Sequence, residues 1–126
     1  MPKTILIVED DDLLRDLTAE SLSSLYAVTI EPCANADEAL DRLSRDNAPS
    51  LVVTDIHMPG SMDGLGLARE IWRRWPTLPV TLTSGEAVID TGLLPARTAF
   101  LPKPWQISDL ALLINKLVTL LPQVEN

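Results

Sequence analysis

Short apolar runs alternate along the chain with longer segments in which apolar residues recur every three or four positions. The short runs predict buried strands, and the wider spacing predicts helices with one apolar face. The strands are predicted at residues 4–8, 28–31, 51–54, 80–83 and 98–101. Because the two patterns alternate, we expect an α/β fold with a parallel sheet covered by helices on both faces.

Helices are predicted at residues 12–26, from Asn35 to before Pro49, at residues 63–75 and at residues 107–121. Asn35 and Asp63 are expected to be N-caps, since both side chains accept hydrogen bonds from helix amino termini. Apolar spacing predicts the inward face of the first helix, which would consist of Leu13, Leu14, Leu17, Ser21, Leu22 and Leu25. Residues 86–96 fit a helix poorly because of Gly92 and Pro95, so the helix there is expected to be short or irregular.

With 126 residues, 46% of them hydrophobic, the chain is expected to form a single domain over residues 1–126 without an output domain. Its 18 acidic and 10 basic residues give a formal charge of −8, which argues against direct nucleic-acid binding. This charge fits either a solvated acidic surface or a charge-selected protein partner. Cys33 is the single cysteine and is expected to be a buried thiol. Apolar runs stay well short of the roughly 18 residues of a membrane span, so a cytoplasmic location is expected.

Reactive side chains stand where the predicted strands end: Glu9 and Asp10, Asp55, Thr83 and Lys103. Because the carboxyl ends of parallel strands share one edge of a sheet, these groups are expected to meet. Two carboxylates about 4 Å apart repel by roughly 4 kcal/mol at an effective dielectric near 20, which favours either a bound cation or a shared proton. Oxygen ligands without cysteine indicate a hard ion, and Mg²⁺ is the prediction.

The same edge suits phosphoryl chemistry. An aspartate held at a strand end, such as Asp55, can attack phosphorus and form an acyl phosphate. Lys103 would supply a positive charge, and the Thr83 hydroxyl a neutral donor to a phosphoryl oxygen.

These residues belong to motifs that resemble the receiver domain of bacterial two-component response regulators over essentially the whole chain. The motifs are Ile5-Leu6-Ile7-Val8-Glu9-Asp10-Asp11, Thr54-Asp55-Ile56-His57-Met58-Pro59, Met62-Asp63-Gly64-Leu65, Leu82-Thr83-Ser84-Gly85 and Lys103-Pro104-Trp105. The resemblance implies a flavodoxin-like, doubly wound sheet of five parallel strands in the order 2-1-3-4-5. It also implies a ligand site where strands 1 and 3 diverge.

The resemblance further implies that Asp55 accepts a phosphoryl group from a sensor histidine kinase or a histidine phosphotransfer protein. Asp10 and Asp55 would ligate Mg²⁺ together with the backbone carbonyl of His57, and Glu9 would act through a metal-bound water. Such a domain switches a protein–protein interface. It is not an enzyme beyond its own phosphorylation and dephosphorylation.

Three further roles are implied in the same way. Thr83 would be the switch hydroxyl, Phe100 the switch aromatic residue and Lys103 the partner of the phosphoryl group. The Lys103–Pro104 peptide bond is usually cis in this family. His57 and Gly85 occupy the positions that control the access of water to the acyl phosphate.

The chain departs from the common pattern at three places. Ser61 lengthens the loop after the acceptor by one residue, the segment between Ser84 and Lys103 is slightly short, and Phe100 replaces the commoner tyrosine. This combination resembles receivers of hybrid sensor kinases more than those that control DNA-binding domains. In the last helix, Leu112, Leu113 and Leu120 fall outside or at the edge of the core stripe, which predicts a homodimer or partner contact.

Other interpretations stay open. Taken in isolation, Glu9, Asp10 and Asp11 could only begin a helix, because acidic residues favour helix amino termini. A separate alternative is a pseudo-receiver, a domain of the same fold that acts only as a protein-binding module without phosphorylation. An enzyme with an aspartyl nucleophile is disfavoured, since such enzymes place a second aspartate where His57 stands. Trp72, Trp75 and Trp105 are expected to be packing residues.

Overall fold

The computed structural model describes residues 3–85, 92, 94–118 and 122–124. These residues form five strands: β1 (Thr4–Val8), β2 (Thr29–Cys33), β3 (Leu51–Asp55), β4 (Val80–Ser84) and β5 (Thr98–Pro102). They also form four helices: α1 (Asp12–Leu25), α2 (Ala36–Arg45), α3 (Gly64–Arg74) and α4 (Ile107–Leu117). All strand pairs are parallel, in the order β2-β1-β3-β4-β5. The predicted fold class and strand order are therefore confirmed.

Side chains alternate across the sheet and build two cores, because successive strand residues point to opposite faces. The core beneath α2 and α3 includes Leu6, Val8, Ala39, Leu43, Val52, Leu67, Ile71 and Leu82. The core beneath α1 and α4 includes Ile5, Ile7, Leu22, Val53, Leu101, Leu110 and Ile114. β1 and β3 are buried on both faces, which explains why their sequences are continuous apolar runs.

The inward face predicted for α1 is wrong in part. Leu13 is 69% exposed and Leu17 is 50% exposed, whereas Thr18 and Leu22 are buried. The leucines of this helix extend over about half of its circumference at 100° per residue, so they do not define a single face. The side that meets the sheet is completed by a short polar residue, Thr18, which hydropathy alone does not single out.

β2 continues through Pro32 to Cys33 instead of ending before the proline. It is the edge strand next to β1, and an edge strand tolerates a residue that has no N–H to donate. Cys33 is buried, as predicted, and burial raises the pKa of its thiol to about 11.

Both predicted N-caps are confirmed. Asn35 Oδ1 accepts a hydrogen bond from the Glu38 amide at 2.8 Å, and Asp63 Oδ1 accepts one from the Gly66 amide at 2.8 Å. Trp72, Trp75 and Trp105 are half-buried and pack against the two cores, as expected of packing residues.

α4 ends at Leu117, earlier than predicted, because Val118 adopts an extended conformation. Leu112 is 61% exposed, whereas Leu113 packs at the edge of the core. Leu120 lies outside the described residues, as do residues 86–91 and 93 of the helix that was predicted to be short or irregular. Within the described ranges, no helix is both long enough and apolar enough to cross a bilayer.

Candidate functional site

The predicted site residues converge at the carboxyl edge of the sheet. Glu9 directly follows β1, Asp55 is the last residue of β3, and Lys103 directly follows β5. Thr83 of β4 lies opposite Asp55 in the strand register, and both side chains are buried. The topology therefore brings together residues that are up to 94 positions apart in the sequence.

The ammonium group of Lys103 stands between two buried carboxylates. Its Nζ donates to Glu9 Oε1 at 3.0 Å and lies 3.5 Å from Asp55 Oδ1. The Lys103 side chain is 24% exposed, so this cation is partly shielded from water. One lysine thus joins the ends of β1, β3 and β5.

A carboxylate cluster with the geometry of a cation site surrounds this contact. One carboxylate oxygen each from Glu9, Asp10 and Asp55 lies within 4.8 Å of the other two. Asp10 is exposed, while the two oxygens of Glu9 accept hydrogen bonds, from Lys103 at 3.0 Å and from the Asp11 amide at 3.2 Å. The donor set consists of oxygen only, which fits a hard divalent cation such as Mg²⁺.

Burial dominates the electrostatics of the two inner carboxylates. It raises the pKa of Asp55, and Lys103 opposes this effect while the charge of Asp10 adds to it. Burial likewise raises the pKa of Glu9, although the hydrogen bond from Lys103 favours its ionised form. Burial alone would lower the pKa of Lys103, but its hydrogen bond to Glu9 and the charge of Asp55 raise it overall. The lysine is therefore held in its charged form.

The backbone around Asp55 is held by two neighbouring elements. The Ile56 amide donates to the Thr83 carbonyl at 2.9 Å, and the Gly64 amide donates to the Ile56 carbonyl at 2.8 Å. Gly64 opens α3 so close to β3 that any side chain would collide with the Asp55 backbone. Sequence reasoning missed this role, although Gly64 follows the N-cap within one of the recognised motifs.

The additional residue in the loop after Asp55 is accommodated by a tether to α2. The Ser61 hydroxyl contacts both carboxylate oxygens of Asp37, at 2.8 and 2.9 Å. Gly60, the preceding residue, has a φ of 117°, a backbone conformation that glycine adopts readily. His57, at the start of this loop, is exposed.

The acidic residues that follow β1 have two different roles. Asp11 is the N-cap of α1 and accepts a hydrogen bond from the Leu14 amide at 3.0 Å, so part of the run does begin a helix. Glu9 and Asp10 instead lie with Asp55. Arg15, which sequence reasoning also missed, donates to the Glu9 carbonyl at 2.9 Å and anchors α1 to the end of β1.

Two cavities adjoin the site and share Trp105 as a lining residue. The larger, about 520 Å³, is lined by Leu14, Gly85, Lys103, Pro104 and Trp105. The smaller, about 10 Å³, is lined by Ile7, Val8, Glu9, Thr18, Val53, Asp55, Thr83 and Trp105. The Lys103–Pro104 peptide bond is cis, as predicted.

Phe100 lies away from this smaller cavity. It pairs in register with Leu82 and is half-buried against the core beneath α2 and α3. Thr83 points to the opposite face of the sheet, since it is the next residue after Leu82. The two residues predicted to form the switch are therefore neighbours across the sheet and do not lie on one face.

Comparison with known proteins identifies the family. Residues 5–115 match the sequence model of the family described as "Response regulator receiver domain". The chain belongs to this family. Receiver domains are switch modules of two-component signalling, and phosphorylation by a histidine kinase is their general role.

Individual relatives agree with this assignment. The chain is 31% identical to the DNA-binding transcriptional regulator NtrC of Klebsiella pneumoniae over 90% of its own length and 24% of that protein. It spans between about a quarter and a half of the length of the curated relatives that it matches. The receiver domain of NtrX from Brucella abortus is 34% identical, with a TM-score of 0.79 over 91% of this chain and 98% of that one.

A receiver domain from the hybrid histidine kinase CckA is 29% identical, with a TM-score of 0.74 over 90% of this chain and 97% of that one. Receivers of transcriptional regulators and of a hybrid kinase are therefore both among its relatives. The predicted preference for hybrid-kinase receivers stays a prediction.

Proposed function

We propose that residues 1–126 form a phosphoryl-accepting receiver domain in which Asp55 is the phosphoacceptor and Mg²⁺ is required. The observation that carries this proposal is the contact of one ammonium group, Lys103 Nζ, with the carboxylates of both Glu9 and Asp55. A half-buried lysine between two buried acids at the end of a parallel sheet neutralises charge where a phosphoryl group would add more. The phosphodonor would be a sensor histidine kinase or a histidine phosphotransfer protein.

In the proposed reaction, an ionised oxygen of Asp55 attacks the phosphorus of a phosphohistidine. The new oxygen–phosphorus bond forms as the nitrogen–phosphorus bond breaks, and the electron pair stays on the imidazole nitrogen. Lys103 would pair with a phosphoryl oxygen, and the Thr83 hydroxyl would donate a hydrogen bond to another. Positioning and charge neutralisation account for most of the catalysis in phosphoryl transfer.

The carboxylates of Asp10 and Asp55 and the carbonyl of His57 would hold Mg²⁺ directly. Glu9 would act through a metal-bound water, because both of its carboxylate oxygens already accept hydrogen bonds from Lys103 and Asp11. When bound, the ion neutralises negative charge on the phosphoryl oxygens.

The side of the site next to α1 is the proposed approach for the phosphodonor. Leu14 lines the cavity beside Lys103, and Leu13 and Leu17 are exposed on the same helix. Exposed apolar side chains on one helix are typical of protein contacts. Leu17→Ala should slow phosphotransfer from a phosphohistidine protein but not from acetyl phosphate, whereas Leu112→Ala on α4 should affect neither.

The decisive experiment is intact-mass analysis after incubation with Mg²⁺ and acetyl phosphate. The native chain should gain the mass of one phosphoryl group, and removal of Mg²⁺ with a chelator should prevent the gain. Asp55→Asn should abolish it. Asp63→Asn is the matched control, because asparagine also serves as an N-cap and the residue lies outside the carboxylate cluster.

Failure of the native chain to gain this mass, under conditions that phosphorylate another receiver domain, would contradict the proposal. It would favour the pseudo-receiver, a binding module that works without phosphorylation. Gain of mass in the Asp55→Asn protein would contradict the assignment of the acceptor residue alone.

A further inference from the structure

Trp105 borders two unfilled spaces beside the site. Among the residues that the structure describes, it is the one that lines both the 10 Å³ void beside Asp55 and Thr83 and the 520 Å³ cavity beside Lys103. The void is lined on its other sides by Ile7, Val53 and Thr18. It holds at most a single water molecule, so a change in position of any lining side chain has to be taken up by the others.

Trp105 borders unfilled space, unlike most core residues. Close-packed side chains are confined on all sides, but Trp105 lines both the small void and the larger cavity. It is half-buried, and it packs on the core beneath α1 and α4, the face of the sheet to which Thr83 points. Phe100 packs on the opposite face, with Leu82.

We propose that Trp105 is a positioning residue that couples the orientation of Thr83 to the shape of the cavity formed by Leu14, Lys103 and Pro104. The inference rests on the proposed function, in which the Thr83 hydroxyl turns towards a phosphoryl oxygen on Asp55. That rotation enlarges the void, and the indole shifts into the vacated space. Phosphorylation thereby alters the surface next to α1, on the face of the sheet that Phe100 does not reach.

The emission of Trp105 tests this coupling directly. The double variant Trp72→Phe/Trp75→Phe leaves Trp105 as the sole tryptophan, and Trp105→Phe leaves the other two as a matched control. Each protein is brought to the same phosphorylated fraction with Mg²⁺ and acetyl phosphate, with intact mass as the measure. The emission of Trp105 should shift on phosphorylation, and the control should show little change.

Thr83→Ala in the single-tryptophan background separates the coupling from a simple effect of phosphoryl charge. At an equal phosphorylated fraction, the shift should be lost in Thr83→Ala and restored in Thr83→Ser, which keeps the hydroxyl. A shift that persists in Thr83→Ala would overturn the inference. So would an unchanged emission of Trp105 in protein whose mass shows phosphorylation.

The outcomes also distinguish this inference from the proposed function. If Asp55 gains no phosphoryl group, both fail together, whereas phosphorylation without a response of Trp105 refutes the coupling alone. Should the double variant fold poorly, ¹⁹F spectra of the native sequence labelled with 5-fluorotryptophan answer the same question. The resonance that disappears in Trp105→Phe must then move on phosphorylation, and a stationary resonance would overturn the coupling.

Discussion

A Cβ atom on residue 64 would lie 1.7 Å from the carbonyl oxygen of Asp55, far inside any permitted contact. Gly64 therefore lets α3 begin directly against the strand that carries the proposed acceptor. Because the obstructing atoms belong to the backbone, a side chain at this position would have to displace either the helix or the end of β3.

Gly64→Ala should destabilise the folded state by about 3 kcal/mol, the upper range for overpacking, and should slow phosphorylation of Asp55. Chemical denaturation and intact mass measure the two effects. Gly85→Ala is the control, since among the described residues its Cβ would meet only Lys103 Cβ, at 3.7 Å. Native stability in the Gly64→Ala protein would contradict the close approach.

Asp55→Asn should stabilise the protein in the absence of divalent ions, increasingly so as pH rises above the ordinary carboxyl pKa of 3.8. Burial raises the pKa of Asp55 above its ordinary value of 3.8, so the unfolded chain loses this proton at lower pH than the folded one. Ionisation therefore lowers the free energy of unfolding of the native protein as pH rises through this range. Asparagine cannot ionise, so the free energy of unfolding of Asp55→Asn does not fall in this way.

Thermal unfolding of both proteins across the pH range tests this expectation. Added Mg²⁺ should reduce the difference in stability between the native protein and Asp55→Asn, because the ionised carboxylate of the native protein then has a cation beside it. A gap between the two proteins that is constant from pH 4 to 7 would show that Asp55 carries no such penalty.

Thr81→Val should stabilise the protein by about 1 kcal/mol, the scale of the penalty for an unsatisfied buried hydroxyl. Among the described residues, Thr81 Oγ1 is the one buried side-chain polar atom without a hydrogen-bond partner. Valine has nearly the same shape and removes the unsatisfied group.

Thr98→Val provides the matched comparison on the next strand. Thr98 Oγ1 accepts a hydrogen bond from Trp72 Nε1 at 2.9 Å, so this change should destabilise by about 1 kcal/mol. Urea denaturation should therefore show a higher free energy of unfolding for Thr81→Val and a lower one for Thr98→Val, each relative to the native protein. Two shifts of the same sign would be inconsistent with these assignments.

Gly85→Arg should lengthen the lifetime of the phosphorylated state several-fold without preventing its formation. Gly85 is exposed and lines the cavity beside Lys103, so a long side chain there can cover one approach of water to Asp55. The decay of the phosphorylated mass after removal of the phosphodonor is the measurement, with Gly85→Ala as the control. An unchanged decay in Gly85→Arg would refute this gating role.

Features that depend on local sequence could be predicted well. Asn35 and Asp63 cap their helices because a side chain three residues before an amide suffices for the hydrogen bond. The convergence of Glu9, Asp55 and Lys103 was predictable for a different reason. Once the strands are recognised as parallel, topology alone places their ends together.

Features that depend on packing between distant elements could not be predicted. Leu13 and Leu17 have the same hydropathy as the buried Leu22, and only the position of α1 on the sheet distinguishes them. The contact of Arg15 with the Glu9 carbonyl and the exclusion of side chains at Gly64 likewise arise from the approach of neighbouring elements. Neither leaves a periodic pattern in the sequence.

Pro32 has a consequence for the protein in a crowded solution. It stands in β2, where the outer rim of the sheet would otherwise offer its free amide and carbonyl groups to another molecule. A proline in such a strand interrupts the row of donors that an incoming strand would need. Pro32, which led the sequence to predict a shorter β2, therefore also disfavours aggregation by strand addition at this edge of the sheet.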